Sequence, residues 1–326
     1  MSDTARSAAK TGMHAGRCLT PAAGRSRGAV AVSDTIARVR ALVVLIGVTA
    51  VWGVTFVQVK DAVALYPLFA FLALRFAIAS ITLAPPGAGR LRSLGRSGLL
   101  AAVFAGSLLG AGYALQTAGL ARTTVSSTGF ITGMYVVLTP VLAYTLFRVR
   151  VGAAAWVGVA LATAGLALLS GIHGGSVVGD LLVLAGAAVY SLQIVLMERY
   201  APRYDVIGFT LVEMLASFAG LLVLALALGE VEVPRGWTVW GALVVTGVFA
   251  SALAFLAQTW AQRRASATQT ALAFSLEPVW AAFFGFTLAG DRLGAVGWLG
   301  CAVIMAGIVV AEPSAAGVLA RLVRRP

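Results

Sequence analysis

Ten runs of predominantly apolar residues, at about 41–59, 67–86, 98–119, 124–147, 152–170, 180–198, 206–228, 238–262, 268–289 and 294–312, follow one another with short polar interruptions. About 20 apolar residues suffice to cross the hydrocarbon core of a bilayer as a helix, and inside hydrocarbon a helix is one of the few structures that satisfies its own backbone. The pattern predicts an all-α integral membrane protein with ten transmembrane helices. Composition agrees: 60% of the 326 residues are hydrophobic and 11% charged, against about 45–50% and about 25% in a soluble domain.

The net charge of +12 would suggest a polyanionic partner in a soluble protein. Topology explains it better, because cytoplasmic loops of membrane proteins are enriched in Lys and Arg. With the N-terminus inside, 19 of the 24 basic residues fall on cytoplasmic segments, and the outer loops hold only Lys60, Arg122, Arg235 and Arg292. Both termini are therefore expected in the cytoplasm of a cell bounded by this membrane, with no nucleic acid as partner. Residues 1–40, rich in Ala, Gly, Ser and Arg, read as a disordered cytoplasmic leader, and 313–326 as a basic cytoplasmic tail. Cys18 and Cys301 offer no disulfide framework, and His14 and His173 are the only histidines, so neither a metal site nor a cofactor is expected.

The chain also matches itself at an offset of about 140 residues. Gln116-Thr117 with Arg122 recurs as Gln258-Thr259 with Arg264, and Trp156, Gly158 and Gly165 recur as Trp298, Gly300 and Gly307. Ala50-Val51-Trp52-Gly53 aligns with Ala188-Val189-Tyr190-Ser191, and Pro140 with Pro278. Each copy holds five spans, 41–170 and 180–312. An odd number turns the second copy upside down, the inverted repeat in which a site near the midplane is served by rocking one half against the other.

Ionisable residues inside a span cost at least ~2.5–3.5 kcal/mol and normally face protein or a water-filled cavity. Three remain at membrane depth: Arg75, Glu213 and Glu277. Arg75 and Glu213 stand 138 residues apart and so at corresponding places on the second and seventh spans. Either acid is a candidate partner for Arg75. A functional reading gives Arg75 a substrate carboxylate, with Glu213 or Glu277 titrating for coupling or binding an amine; a structural reading makes Arg75 a buried pair, or a donor to carbonyls freed at a helix break. A polar-aromatic set joins them: Tyr113 and Gln116 on one face of the third span, Ser251, Phe255 and Gln258 on one face of the eighth, and Trp52, Tyr135, Tyr190 and Trp280 near the middle of theirs. Pro140 and Pro278 would remove backbone bonds deep in their spans.

Trp52-Gly53, Leu74-Arg75-Phe76, the stretch Leu115 to Leu120, Gly129-Phe130-Ile131-Thr132-Gly133 leading to Leu138-Thr139-Pro140, Gly179-Asp180-Leu181-Leu182 and Leu276-Glu277-Pro278 together resemble the drug/metabolite transporter superfamily, specifically its ten-helix exporters built from two EamA domains. Asp291 stands where those proteins more often carry Glu. The resemblance implies a secondary transporter exporting a small metabolite or drug, amino-acid-like or another small organic solute, with no cofactor and as a monomer or homodimer. No GKS or GKT phosphate cradle is present, which removes an ATP-driven pump, and no HExxH or GxSxG supports a membrane-embedded enzyme. A receptor or scaffold stays open as the alternative.

Overall fold

The computed structural model describes residues 23–123, 125–170, 176–284, 287 and 294–311. Two units separate, Met1–Ile36 and Ala37–Pro326, and the architecture below is that of the second. The regular structure of the described residues is all helical, with short turns and loops between helices and no strand among them. The helices are α1 (Ala23–Leu65), α2 (Leu68–Gly87), α3 (Leu91–Leu120), α4 (Val125–Gly133), α5 (Tyr135–Phe147), α6 (Ala153–Ser170), α7 (Val177–Tyr200), α8 (Val206–Ala227), α9 (Trp237–Gly247), α10 (Ala254–Ala261), α11 (Ala267–Phe274), α12 (Glu277–Phe284) and α13 (Ala295–Ala311). Taken in order they fill the ten apolar segments, because the fourth, eighth and ninth each divide into two helical pieces.

Two expectations need correction. Residues 23–37, expected to lack regular structure, are helical, since no proline lies between Pro21 and Pro67 to interrupt the helix that the first span starts. Pro278 does not break its span either: it is the second residue of α12, where no intrahelical amide bond is required. The interruption comes just before it, at Ser275 and Leu276, and its counterpart in the fourth span lies at Met134, ahead of Pro140. The first part of the leader, the basic tail, His14, Cys18, His173, Asp291 and Arg292 lie outside the described residues.

Helix ends are closed by polar side chains. The Asp205 carboxylate accepts from the Gly208 amide at 2.9 Å, and Ser266 with Gln269 forms a reciprocal capping box on α11. Glu230 accepts from the Phe69 amide at 2.7 Å in the first turn of α2.

The helices pack through small residues, as bundles must where lipid is as apolar as leucine. A Cβ on Gly158 would stand 2.6 Å from the Gly307 carbonyl oxygen, and one on Gly165 2.7 Å from that of Gly300. These contacts run α6 antiparallel to α13. They are also reciprocal: Gly158 and Gly165 correspond to Gly300 and Gly307, so each residue meets the counterpart of the other, the signature of a two-fold relation. Trp156 and Trp298, another corresponding pair, are each 40% exposed on the outer surface. Phe71, Phe76, Leu109, Met214 and Leu243 are buried at the centre of the largest apolar cluster.

Candidate functional site

Two adjoining cavities occupy the middle of the bundle. The first is walled by Trp52, Tyr113, Gln116, Thr132, Tyr135, Tyr190, Gln193, Phe255, Gln258, Phe274 and Glu277, with Leu109 and Ile194. The second shares Trp52, Tyr113, Gln116 and Glu277 with the first and adds Arg75, Thr55, Val59, Leu72, Thr117, Leu120 and Thr128. The lining comes from both repeats.

Corresponding residues of the repeats touch each other here. Tyr113 and Phe255, 142 apart in sequence, meet edge to face with ring centroids 6.4 Å apart. Tyr135 and Glu277, also 142 apart, approach with the hydroxyl 3.5 Å from a carboxylate oxygen. Residues related by a two-fold rotation touch only beside its axis, so the cavities straddle the line about which the repeats are related.

Arg75 is 4% exposed and is held by a backbone irregularity. Between α9 and α10, residues Val248–Leu253 form a π-turn, the wide helical turn often found at functional sites. The Ala254 amide donates to Phe249 and Ser251, and side chains reach the Ala250 carbonyl of this turn. Trp52 Nε1 donates to it at 2.8 Å and Arg75 Nη2 at 3.3 Å. Arg75 Nε donates to Ser251 Oγ at 2.7 Å, and Nη2 also reaches the Tyr113 hydroxyl at 3.1 Å, with the guanidinium 4.7 Å from the Tyr113 ring centroid. Every one of these partners is neutral. Among the described residues the ion pair is Arg90 with Asp205, at 2.9 Å and partly exposed, and no carboxylate comes within pairing distance of Arg75. Neither Glu213 nor Glu277 is its salt-bridge partner; the guanidinium instead donates to Ser251, to the Tyr113 hydroxyl and to the Ala250 carbonyl of the π-turn.

Glu213 is fully buried and lies outside both cavity walls. Its Oε1 accepts from Gln193 Nε2 at 2.8 Å, and Oε2 has no partner among the described residues. Glu277, half-buried, faces both cavities at the break that starts α12. At the same break the Phe274 carbonyl accepts from the Tyr135 hydroxyl at 2.8 Å. Gln116 donates to Thr132 Oγ1 at 2.9 Å and accepts from the Tyr190 hydroxyl at 3.2 Å.

The structure thus brings together Trp52, Arg75, Tyr113, Gln116, Tyr135, Tyr190, Phe255, Gln258 and Glu277. It does not bring Trp280, which stacks on Phe284 at 6.0 Å and packs with Leu166, Leu276 and Ile304 away from the cavities. Gln193, Phe274, Thr132 and the Ala250 carbonyl escape the sequence reading. Gln193 had a signal, since it lies three residues after Tyr190 and so on the same helix face. The π-turn had none.

Comparisons with known proteins define the class. The profile of the EamA-like transporter family matches residues 39–171 and again 177–311. The chain belongs to that family, and is a multi-pass membrane protein with two EamA repeats. A protein of Archaeoglobus fulgidus described as an uncharacterized transporter is 29% identical over 265 residues, covering 81% of this chain and 82% of that one. A solved crystal structure of a protein shares the fold with a TM-score of 0.72 at 21% identity, over 86% of this chain and 98% of that one. Membership implies a lipid bilayer as environment and a small molecule as substrate.

Proposed function

We propose that the chain is a secondary transporter that exports a small amphipathic solute carrying a carboxylate across the cytoplasmic membrane, both termini lying inside, by rocking one repeat against the other. The observation that carries this reading is the Arg75 guanidinium, a charge on the wall of a central cavity with only neutral partners. A buried charge in that condition favours an anion arriving from outside the protein. Glu277, on the same cavity wall, accepts the amine of a zwitterion such as an amino acid. Trp52, Tyr113, Tyr190 and Phe255 hold its apolar part, and Gln116, Gln258 and Tyr135 supply neutral hydrogen bonds. The breaks at Met134 and at Ser275–Leu276 sit at corresponding places and serve as the hinges. Orientation follows from the excess of Lys and Arg on one set of loops.

The test is flux. The protein reconstituted in liposomes is offered amino acids, nucleosides and cationic drugs, and a zwitterionic amino acid is expected to move faster than through protein-free liposomes. Failure of the whole panel, with turnover of a lipid or peptide instead, contradicts the reading.

A further inference from the structure

Beyond the cavity wall the buried polar groups continue as a chain. Glu213 Oε1 accepts from Gln193 Nε2 at 2.8 Å, Gln193 Oε1 accepts from Gln258 Nε2 at 3.3 Å, the same Nε2 reaches Gln262 Oε1 at 3.0 Å, and Gln262 Nε2 ends on the Ile194 carbonyl at 2.9 Å. Each member is at most 2% exposed, yet Gln193 and Gln258 also line the cavity. Two atoms of this chain have no partner among the described residues: Glu213 Oε2 and Gln258 Oε1.

Their chemistry is complementary. An ionised Glu213 would have one neutral amide for its charge and nothing for its second oxygen, inside a bundle where an unpaired carboxylate is costly. No charge nearby relieves it. On the elements packed against α8 the ionisable groups at membrane depth are Arg75 on α2, Tyr113 on α3 and Tyr190 on α7, and none hydrogen-bonds or pairs with Glu213. Arg90, next to the start of α8, is taken by Asp205. A proton taken from water onto Oε2 turns the unpartnered acceptor into a donor. Gln258 Oε1 is an acceptor in want of one.

We infer that Glu213 is a proton-binding site set behind the cavity and linked to it through Gln193 and Gln258. A solute that draws the Gln193 amide toward the cavity takes away the one donor Glu213 has, and one that draws Gln258 takes a donor from Gln193, so either changes the hold of Glu213 on the proton. Use of this link to drive solute against a proton gradient rests on the transporter reading, whereas the existence of the site does not.

Infrared spectra of the purified full chain through a pH step test the site without any transport substrate. Wild-type protein at neutral pH is expected to show the carbonyl stretch of a buried protonated carboxylic acid. That band should shift on ¹³C labelling of glutamate, disappear in Glu213→Gln and persist in Glu277→Gln. Gln258→Leu, which cuts the chain at the cavity, should move its titration midpoint by about one pH unit. Should Glu213→Gln fail to fold, the isotope shift and the Gln258→Leu titration decide. A spectrum with no protonated glutamate from about pH 5 to about pH 9, a band that survives Glu213→Gln, or a midpoint unmoved by Gln258→Leu overturns the inference.

Discussion

Arg75 on α2 and Glu213 on α8 stand at corresponding positions of the two repeats, and their backbones are treated alike. Gly106 of α3 lies against the Glu213 carbonyl, and Gly247 of α9 lies 3.0 Å, measured from a Cβ placed on it, from the Arg75 carbonyl. Their side chains part company. Arg75 reaches a π-turn and a cavity wall; Glu213 turns away from the cavity to an amide chain. The repeat therefore fixes where two helices come close, and residue type decides whether the side chain reaches the cavity wall or the buried amides behind it. Sequence correspondence alone suggests that the two charges meet, and they do not.

The sharpest way to probe the shared part is to fill the glycines. A Cβ on Gly106 meets the backbone oxygen of Glu213, which cannot step aside, while one on Gly247 first meets the Ile78 side chain at 2.7 Å. Gly106→Ala is expected to lose about 3 kcal/mol and Gly247→Ala about 1 kcal/mol, read from thermal unfolding in detergent. Equal losses would break the comparison at its backbone half.

Smaller effects sharpen the side-chain half. Arg75→Gln removes hydrogen bonds to Ser251, Tyr113 and Ala250 but leaves no orphaned acid, so it is expected to cost about 1–2 kcal/mol rather than the ~3–5 kcal/mol of a broken buried ion pair. Glu213→Gln retains an acceptor for Gln193 and is expected to cost under about 1 kcal/mol. A larger loss from Glu213→Gln than from Arg75→Gln in the same unfolding assay would show that the acid is held ionised by a partner.

The smallest effect belongs to the surface. Burial acts to raise the Asp205 carboxyl, but the Gly208 amide and Arg90 together outweigh it and hold the group below its ordinary value of 3.8. A depressed folded-state value adds stability above the ordinary one and loses it as pH falls through the folded value. Asp205→Asn keeps the helix cap and gives up an exposed pair, so it should cost under about 1 kcal/mol at neutral pH. That difference should vanish in strong acid; one that grows on acidification contradicts the assignment.

Much of this was legible in the chain itself. Ten apolar segments, the repeat and nine of the residues now found around the cavity followed from hydropathy, offset and helical spacing, because those report which face of which span is polar. Trp280 shows the limit: a tryptophan at mid-span is compatible with a cavity or with apolar packing, and only its neighbours decide. Gln193 carries no charge and so did not stand out beside Glu213, although it is what joins Glu213 to the cavity. The π-turn at Val248–Leu253 has no residue signature at all, and with it went the reason Arg75 needs no acid.

The most direct test of the cavity assignment is solute selectivity of Arg75→Gln in proteoliposomes, measured beside wild type with a zwitterionic amino acid and a cationic drug. Loss of one charge-assisted contact to a carboxylate predicts a fall of about ten- to a hundredfold in amino-acid flux, with the cation's flux kept. An equal fall for both solutes, or no fall for either, would contradict the placement of the carboxylate on Arg75.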